Sequence, residues 1–274
     1  MELEDKVAVV TGAASGIGRA MARRFADAGA RGVIVSDVDA VGAKAVAAEI
    51  EARRPGVAVA IACDVSVAAE IANLIALAEA AFGPIDLFCA NAGIGGGEEL
   101  GSSDELWDLA FDVNVRSHIT AARLLVPGWV DRGGGYFLST ASAAGLLTMI
   151  GSAAYTVTKH AAVAFAEWLS ITYGDQGVRV SCLCPMGVRT KMLEDGMDLP
   201  GNAGVGLRIT AGSGPVLEPE QVADAVVEGL ADERFLILPH PELHDLVQRK
   251  VADRDAWIAG MRRLQAKIAA TVTQ

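Results

Sequence analysis

A chain of 274 residues, 52% hydrophobic and 21% charged, suits one large α/β domain or two small ones and can bury a sizeable core. Its formal net charge of −11 and sequence pI of about 4.8 set up a field that repels phosphate backbones and anionic lipid, which argues against a nucleic-acid partner. No apolar run reaches the roughly 18 residues of a membrane span, and the acidic opening Met1-Glu-Leu-Glu-Asp-Lys6 lacks the basic start of a secretion signal.

Short β-branched runs alternate with Ala-rich stretches of helical period. In chain order, strands are predicted at 7–10, 33–35, 57–62, 85–89, 136–138, 178–183 and 235–238. Most are continuously apolar, as parallel strands covered on both faces are. Helices are predicted at 17–28, where Ile17, Met21, Phe25 and Ala28 form one stripe before Gly29, and at about 42–52, 66–82, 103–130 and 152–173. This alternation predicts an α/β fold: a doubly wound, Rossmann-type parallel sheet of about seven strands, with helices on both faces. No linker-like shift divides the chain, so residues 1–274 are expected to form one domain. The tail 241–274 is expected to be a helical extension, with Leu243, Leu246, Val247, Val251, Trp257, Met261, Leu264 and Ile268 as its apolar positions. It either covers the domain's own edge or makes an oligomer contact. Cys63, Cys89, Cys182 and Cys184 fall in strand-like runs and read as free buried thiols, which leads us to expect a reducing, cytoplasmic compartment.

The first strand runs into Thr11-Gly-Ala-Ala-Ser-Gly-Ile-Gly18 and then a helix. Glycines at such a turn let backbone approach a pyrophosphate, whose charge sits on the helix's unpaired N–H groups. Asp37 closes the second strand, where a carboxylate accepts from an adenosine ribose, although a solvated Asp is the alternative for that position alone. Two Gly-rich stretches, 93–101 and 201–214, follow predicted strand ends. Each reads either as a surface loop or as part of a substrate entrance and lid.

The spacing of Gly12, Gly16 and Gly18 after Thr11 resembles that of the short-chain dehydrogenase/reductase family, in its short single-domain branch. The resemblance recurs in order: Asn91-Ala92-Gly93 after the fourth strand, Asn114, Ser142, the Y-x-x-x-K pair Tyr155 and Lys159, then Pro185 and Thr190. It covers residues 7–190. It implies an oxidoreductase using NAD to interconvert a secondary alcohol and a ketone. Tyr155 would be the general acid/base and Lys159 would hold the nicotinamide ribose. Ser142 would orient the substrate oxygen, and Asn114 would support a water chain to Lys159. Cofactor contacts would come from Gly12, Ser15, Gly16, Ile17 and Gly18, from Asp37, from Asp64 and Val65 at the adenine, and from Asn91, Ala92, Gly93, Pro185, Val188 and Thr190 around the nicotinamide.

Tyr155 and Lys159 are neighbours on one helix face. A free tyrosine is a poor base near neutrality, and an ammonium one turn away plus a positive nicotinamide ring favour the phenolate. Bringing the phenol near pH 7 takes about 4 kcal/mol. Taken singly, Ser142 also reads as a turn serine and Asn114 as a helix-interior polar residue. Asp37, and Ser15 where NADPH users often place a basic residue, favour NAD over NADPH. The alternatives are an NADPH-dependent ketoacyl-type reductase and a catalytically silent dinucleotide-binding regulator. Such regulators usually lose the Tyr or Lys that this chain keeps. The family often has Asn where Ala90 stands and Gly where Met186 stands, departures that bear on substrate rather than on reaction type.

The substrate is expected to be a mainly apolar small molecule, bordered by Ile94, Leu147, Met149, Met186 and Met192. Arg189, Lys191 and Arg208 are the cations that would favour an anionic one instead. The resemblance implies a homo-oligomer, a dimer or tetramer packed through the helices carrying Asn114 and Tyr155. The Ala-rich face 161–166 permits close helix approach or burial within the chain. His118 and His160 are expected at the surface or in a subunit contact. His240-Pro-Glu-Leu-His244 does not fit H-E-x-x-H, and no metal is expected.

Overall fold

The computed structural model describes residues 1–95, 99–197, 204 and 214–272. Side chains alternate along each strand and split the interior in two. In β1 (Val7–Thr11), Val7 and Val9 enter one apolar layer while Ala8 and Val10 enter the other. The same alternation recurs in β4 (Leu87–Ala90) and β5 (Gly135–Thr140). With β2 (Gly32–Asp37), β3 (Ala58–Ala62), β6 (Val178–Leu183) and β7 (Leu236–Ile237) they form one parallel sheet, in the order β3-β2-β1-β4-β5-β6-β7.

Helices cover both layers. The apolar stripes of α1 (Gly16–Asp27), α2 (Ala40–Glu51) and α8 (Pro219–Ala231) bury Met21, Phe25, Val46, Ile50, Val222 and Val226 on one face. On the other face α3 (Ala68–Phe82), α5 (Ser117–Asp131) and α6 (Ala153–Tyr173) bury Ile71, Leu74, Leu125, Trp129, Ala162 and Ala166, and the short α7 (Lys191–Met197) follows the loop after β6. The chain winds outward from β1 to β3, then returns to β4 on the far side of β1. A crevice therefore opens between β1 and β4 at their carboxyl ends, the usual ligand position in such sheets.

Two expectations need correction. The helix predicted over 103–130 is interrupted: α4 (Asp104–Phe111) leads into a π-helical turn, Asp112–Arg116, before α5 begins. One extra residue in that turn shifts Asn114 relative to a regular helix, a device frequent at functional sites. His118 is fully buried rather than at the surface, its Nδ1 3.0 Å from Ser139 Oγ. Burial, then the nearby Lys159 charge, hold its pKa down at about 3, so the ring is neutral. Of the Ala-rich face 161–166, Ala162 and Ala166 are buried inside the chain's own core, the second of the two readings. His160 is half-buried, its Nδ1 near Thr156 O. The tail forms two helices, α9 (Glu242–Ala252) and α10 (Arg254–Val272). No helix among the described residues is long and apolar enough to cross a membrane. The stretch 201–214 lies outside the described residues except for Gly204 and Gly214, as do 96–98 of the first Gly-rich stretch and Arg208.

Candidate active site

The crevice begins with a hydroxyl. Thr11 Oγ1, at the end of β1, donates to Cys89 O (3.2 Å) and accepts from Asn91 N–H and Ala92 N–H, each at 3.0 Å. Asn91 answers with its side-chain amide, donating to Thr11 O (2.9 Å) and Gly12 O (3.4 Å). These contacts bring the glycine turn against 91–93. A Cβ on Gly12 would stand 2.8 Å from Ala92 Cα, and one on Gly18 2.2 Å from Gly12 O. Gly12 and Gly16 also hold positive φ, +65° and +52°, which side chains rarely adopt. The glycines thus do two jobs: they close the turn, and they leave the first N–H groups of α1 open to an anion.

Asp37 is tied to this turn. One carboxylate oxygen accepts from Ala14 N–H (2.9 Å) and the other from Asp39 N–H (3.0 Å), and the group borders the cleft. Asp64 accepts from Ser66 N–H and Oγ, fixing the 64–65 corner, with Val65 buried beside it. Ser15, Gly16, Ile17, Val188 and Thr190 complete this side. Thr190's methyl carbon stands 3.0 Å from where a Gly16 Cβ would be. The shape and donors fit a dinucleotide: a glycine cradle, a helix terminus for the pyrophosphate, and a carboxylate at the far end for ribose hydroxyls.

The residues expected to react come from the turn after β5, from α6 and from the π turn. Lys159 is 3% exposed; its Nζ donates to Thr140 O (2.9 Å) and lies 5.7 Å from the Tyr155 ring centroid. Burial pulls its pKa down to about 8. Burial pushes the Tyr155 phenol up, and the Ser142 hydroxyl beside it only partly offsets this. The expectation that Lys159 lowers Tyr155 is therefore not met by the chain alone: desolvation of the phenolate outweighs its neighbours. Ser142 caps the short turn Ala143–Gly145, accepting from Ala144 N–H (3.1 Å) and keeping its own proton to donate. Asn114 is fully buried and its amide is committed: Oδ1 accepts from Ile94 N–H (2.9 Å), and Nδ2 donates to Ile94 O and Thr158 Oγ1 (each 3.1 Å). Oδ1 and Lys159 Nζ both lie 3.2 Å from a hypothetical Gly93 Cβ, so Gly93 is the gap between them.

All five expected substrate-side residues, Ile94, Leu147, Met149, Met186 and Met192, border one cleft of about 820 Å³ with Tyr155, Lys159, Ser142 and the glycine turn, whereas Asn114 lies buried behind its wall. Pro185 is there as well; its carbonyl accepts from Ala143 N–H (2.9 Å), joining the two loops. Arg189 turns away into an ion pair with Glu218 (2.7 Å), whereas Lys191 borders the cleft. Sequence reasoning missed the far wall: Leu246 of α9 and Trp257, Met261 and Leu264 of α10. It also missed Lys250, a buried residue whose Nζ donates to Leu147 O (2.9 Å) and Leu146 O (2.6 Å). A lysine on the apolar stripe 243–247–250 was the available signal. The held loop carries Thr148 at φ +111°, a strained value for a β-branched residue, between Leu147 and Met149. Among the described residues no three His, Cys, Asp or Glu side chains cluster as a metal site would require. His244 is exposed while His240 faces inward.

A family model described as short chain dehydrogenase matches residues 6–198. The chain is 38% identical over 251 residues to 1-deoxy-11-beta-hydroxypentalenate dehydrogenase of Streptomyces exfoliatus, covering 88% of this chain and 86% of that one. It is 33% identical over 238 residues to D-threitol dehydrogenase of Mycolicibacterium smegmatis, covering 86% and 89%. A crystal structure of a short chain dehydrogenase/reductase from Burkholderia phymatum in complex with NAD is 31% identical, with TM-score 0.84, over 93% of this chain and 96% of that one. The helices α8–α10 lie beyond the residues that the family model matches.

Proposed function

The chain belongs to the short-chain dehydrogenase family, and from that premise we propose that it uses NAD(H) to interconvert a mainly apolar secondary alcohol and its ketone, with Tyr155 as the proton-transfer residue. The family and its named dehydrogenases make it a nicotinamide-dinucleotide-dependent oxidoreductase of alcohols and ketones. The observation that carries the site assignment is the convergence of Tyr155, Lys159 and Ser142 on one cleft with the glycine cradle.

When bound, the oxidised nicotinamide supplies a hydride acceptor and the positive charge that favours ionised Tyr155. In oxidation the Tyr155 oxygen takes the hydroxyl proton, while Ser142 holds the same substrate oxygen through its free proton. Lys159 places a cation one turn from the phenol and bonds the nicotinamide ribose. Asn114 keeps the Gly93–Ile94 wall beside Lys159 in place through its bonds to Ile94. Asp37 with its remaining lone pairs accepts from adenosine ribose hydroxyls, and it repels a 2′-phosphate; this favours NAD over NADP. Similar relatives act on hydroxypentalenate and on D-threitol, so the substrate class is read from the lining. Met149, Met186 and Met192 border the cleft with Leu246, Trp257, Met261 and Leu264 from the C-terminal helices, and Lys191 is a cation at its edge.

The free buried cysteines suit a reducing, cytoplasmic setting. On the outer face of α6, Trp168 is 53% and Ile171 84% exposed, and we assign this face to packing between copies, as a dimer or tetramer. Light scattering at micromolar concentration is expected to show such an assembly; a monomer contradicts it. Turnover of 4-alkylcyclohexanones by NADH absorbance tests the chemistry. Efficiency should rise along the series, by about 0.8 kcal/mol per buried methylene, and a best rate on a small hydroxy acid would contradict an apolar pocket. Tyr155→Phe should keep NADH binding and lower kcat by about two orders of magnitude or more; near-normal turnover would remove Tyr155 from its role. The unmodified chain should prefer NAD by about tenfold or more, about 1.4 kcal/mol, and Asp37→Ser should shrink that preference. Equal efficiency with NADPH before substitution would overturn the assignment of Asp37.

A further inference from the structure

His240, set aside above as a metal ligand, is 1% exposed, and its contacts fix its proton. Nδ1 lies 3.1 Å from Met186 N and accepts that N–H, so Nδ1 is unprotonated. Nε2 therefore carries the hydrogen, and it lies between Gly187 O (3.1 Å) and Pro215 O (3.2 Å). One neutral ring thus joins the segment after β7, the loop 185–190 after β6, and the segment leading into α8.

That loop is also anchored at its start, where Pro185 O accepts from Ala143 N–H (2.9 Å), and along 187–189 by the segment 217–218. Leu217 N–H donates to Gly187 O (3.0 Å), Arg189 N–H donates to Leu217 O (2.8 Å), and Arg189 pairs with Glu218. Met186, Val188 and Thr190 point from it into the cleft, with Thr190 against Gly16. We propose that His240 is a positioning residue for hydride transfer: by holding the backbone of Met186 and Gly187, it sets where the 185–190 wall faces the glycine turn and the substrate. This rests on the dehydrogenase reading above. Histidine suits the place because it offers an acceptor and a donor on opposite sides of one rigid ring. Asparagine retains an acceptor near the Nδ1 position, glutamine brings a donor near the Nε2 position, and leucine offers neither.

The test uses the full chain, with NADH and a turned-over 4-alkylcyclohexanone as probes. Sites are counted by NADH fluorescence titration, and folded protein by circular dichroism. His240→Leu is expected to lower kcat per NADH-binding site about tenfold or more, since sub-ångström misplacement is costly for a transfer step. The ketone KM should move much less. The isotope effect on kcat with NADH deuterated at C4 should rise, because transfer becomes rate-limiting. His240→Asn and His240→Gln should each recover part of the rate. Should the leucine variant not fold, those two variants carry the test through the same kcat and isotope-effect changes. Wild-type kcat per site and isotope effect in the folded variants would overturn the proposal. So would activity that falls only with the amount of folded protein. A wild-type chain that neither binds NADH nor reduces any ketone overturns the dehydrogenase reading, and this proposal with it.

Discussion

The site is built around an ammonium group buried with no carboxylate. Among the described residues no Asp or Glu lies within ion-pair distance of Lys159, and its described hydrogen bond is to Thr140 O. Holding its pKa at about 8 against an ordinary 10.5 corresponds to a penalty of about 3 kcal/mol on the charged form. The unfolded chain binds that proton more tightly, so the penalty on folding is present below about pH 8 and fades as pH rises towards 10.5. Such a cost persists where the chemistry uses it. The neighbours are shaped to accept it: Gly93 leaves room at Nζ, and a Cβ on Gly145 would stand 2.5 Å from Lys159 O. The turn after Ser142 can pack onto α6 because of that missing side chain.

Around this group the cleft has two kinds of wall. The side at the glycine turn is main chain held by short polar side chains: Thr11, Asn91, Asp37 and Asp64 each bond backbone within the loops they position. The opposite side is apolar and comes largely from elements late in the chain. Lys250 and His240 do there what Thr11 and Asn91 do opposite, one holding the 146–147 carbonyls and the other the 186–187 backbone. Both sit outside the residues that the family model matches. Met186, where the family often has glycine, lies in one of the loops so held.

Much of this was legible in the sequence. Continuous β-branched runs separated by helical stripes dictate a two-faced parallel sheet, and the strand ends came out within a few residues of β1–β7. The glycine turn, Asp37 and the Tyr155–Lys159 pair could be picked out by position, and the structure places them on one cleft; their roles were implied by the family resemblance. Other features were illegible for physical reasons. A π turn differs from an α turn by one residue, and Val113-Asn-Val115 suits either. His118 sits on a helix where polarity suggests water, yet tertiary packing buries it against Ser139. The tail's apolar stripe announced that α9 and α10 cover something, but periodicity does not say what. Nor did spacing show that desolvation would raise Tyr155, since burial is a property of the folded cleft.

The central claim, a buried cation poised beside Tyr155 before any ligand binds, is tested by lysine-selective ¹⁵N and ¹³C NMR titration of the cofactor-free chain. One lysine signal, absent in Lys159→Met, should titrate near pH 8. If the Lys159 signal titrates with the exposed lysines at about 10.4, the ammonium is solvated and the account of the site fails.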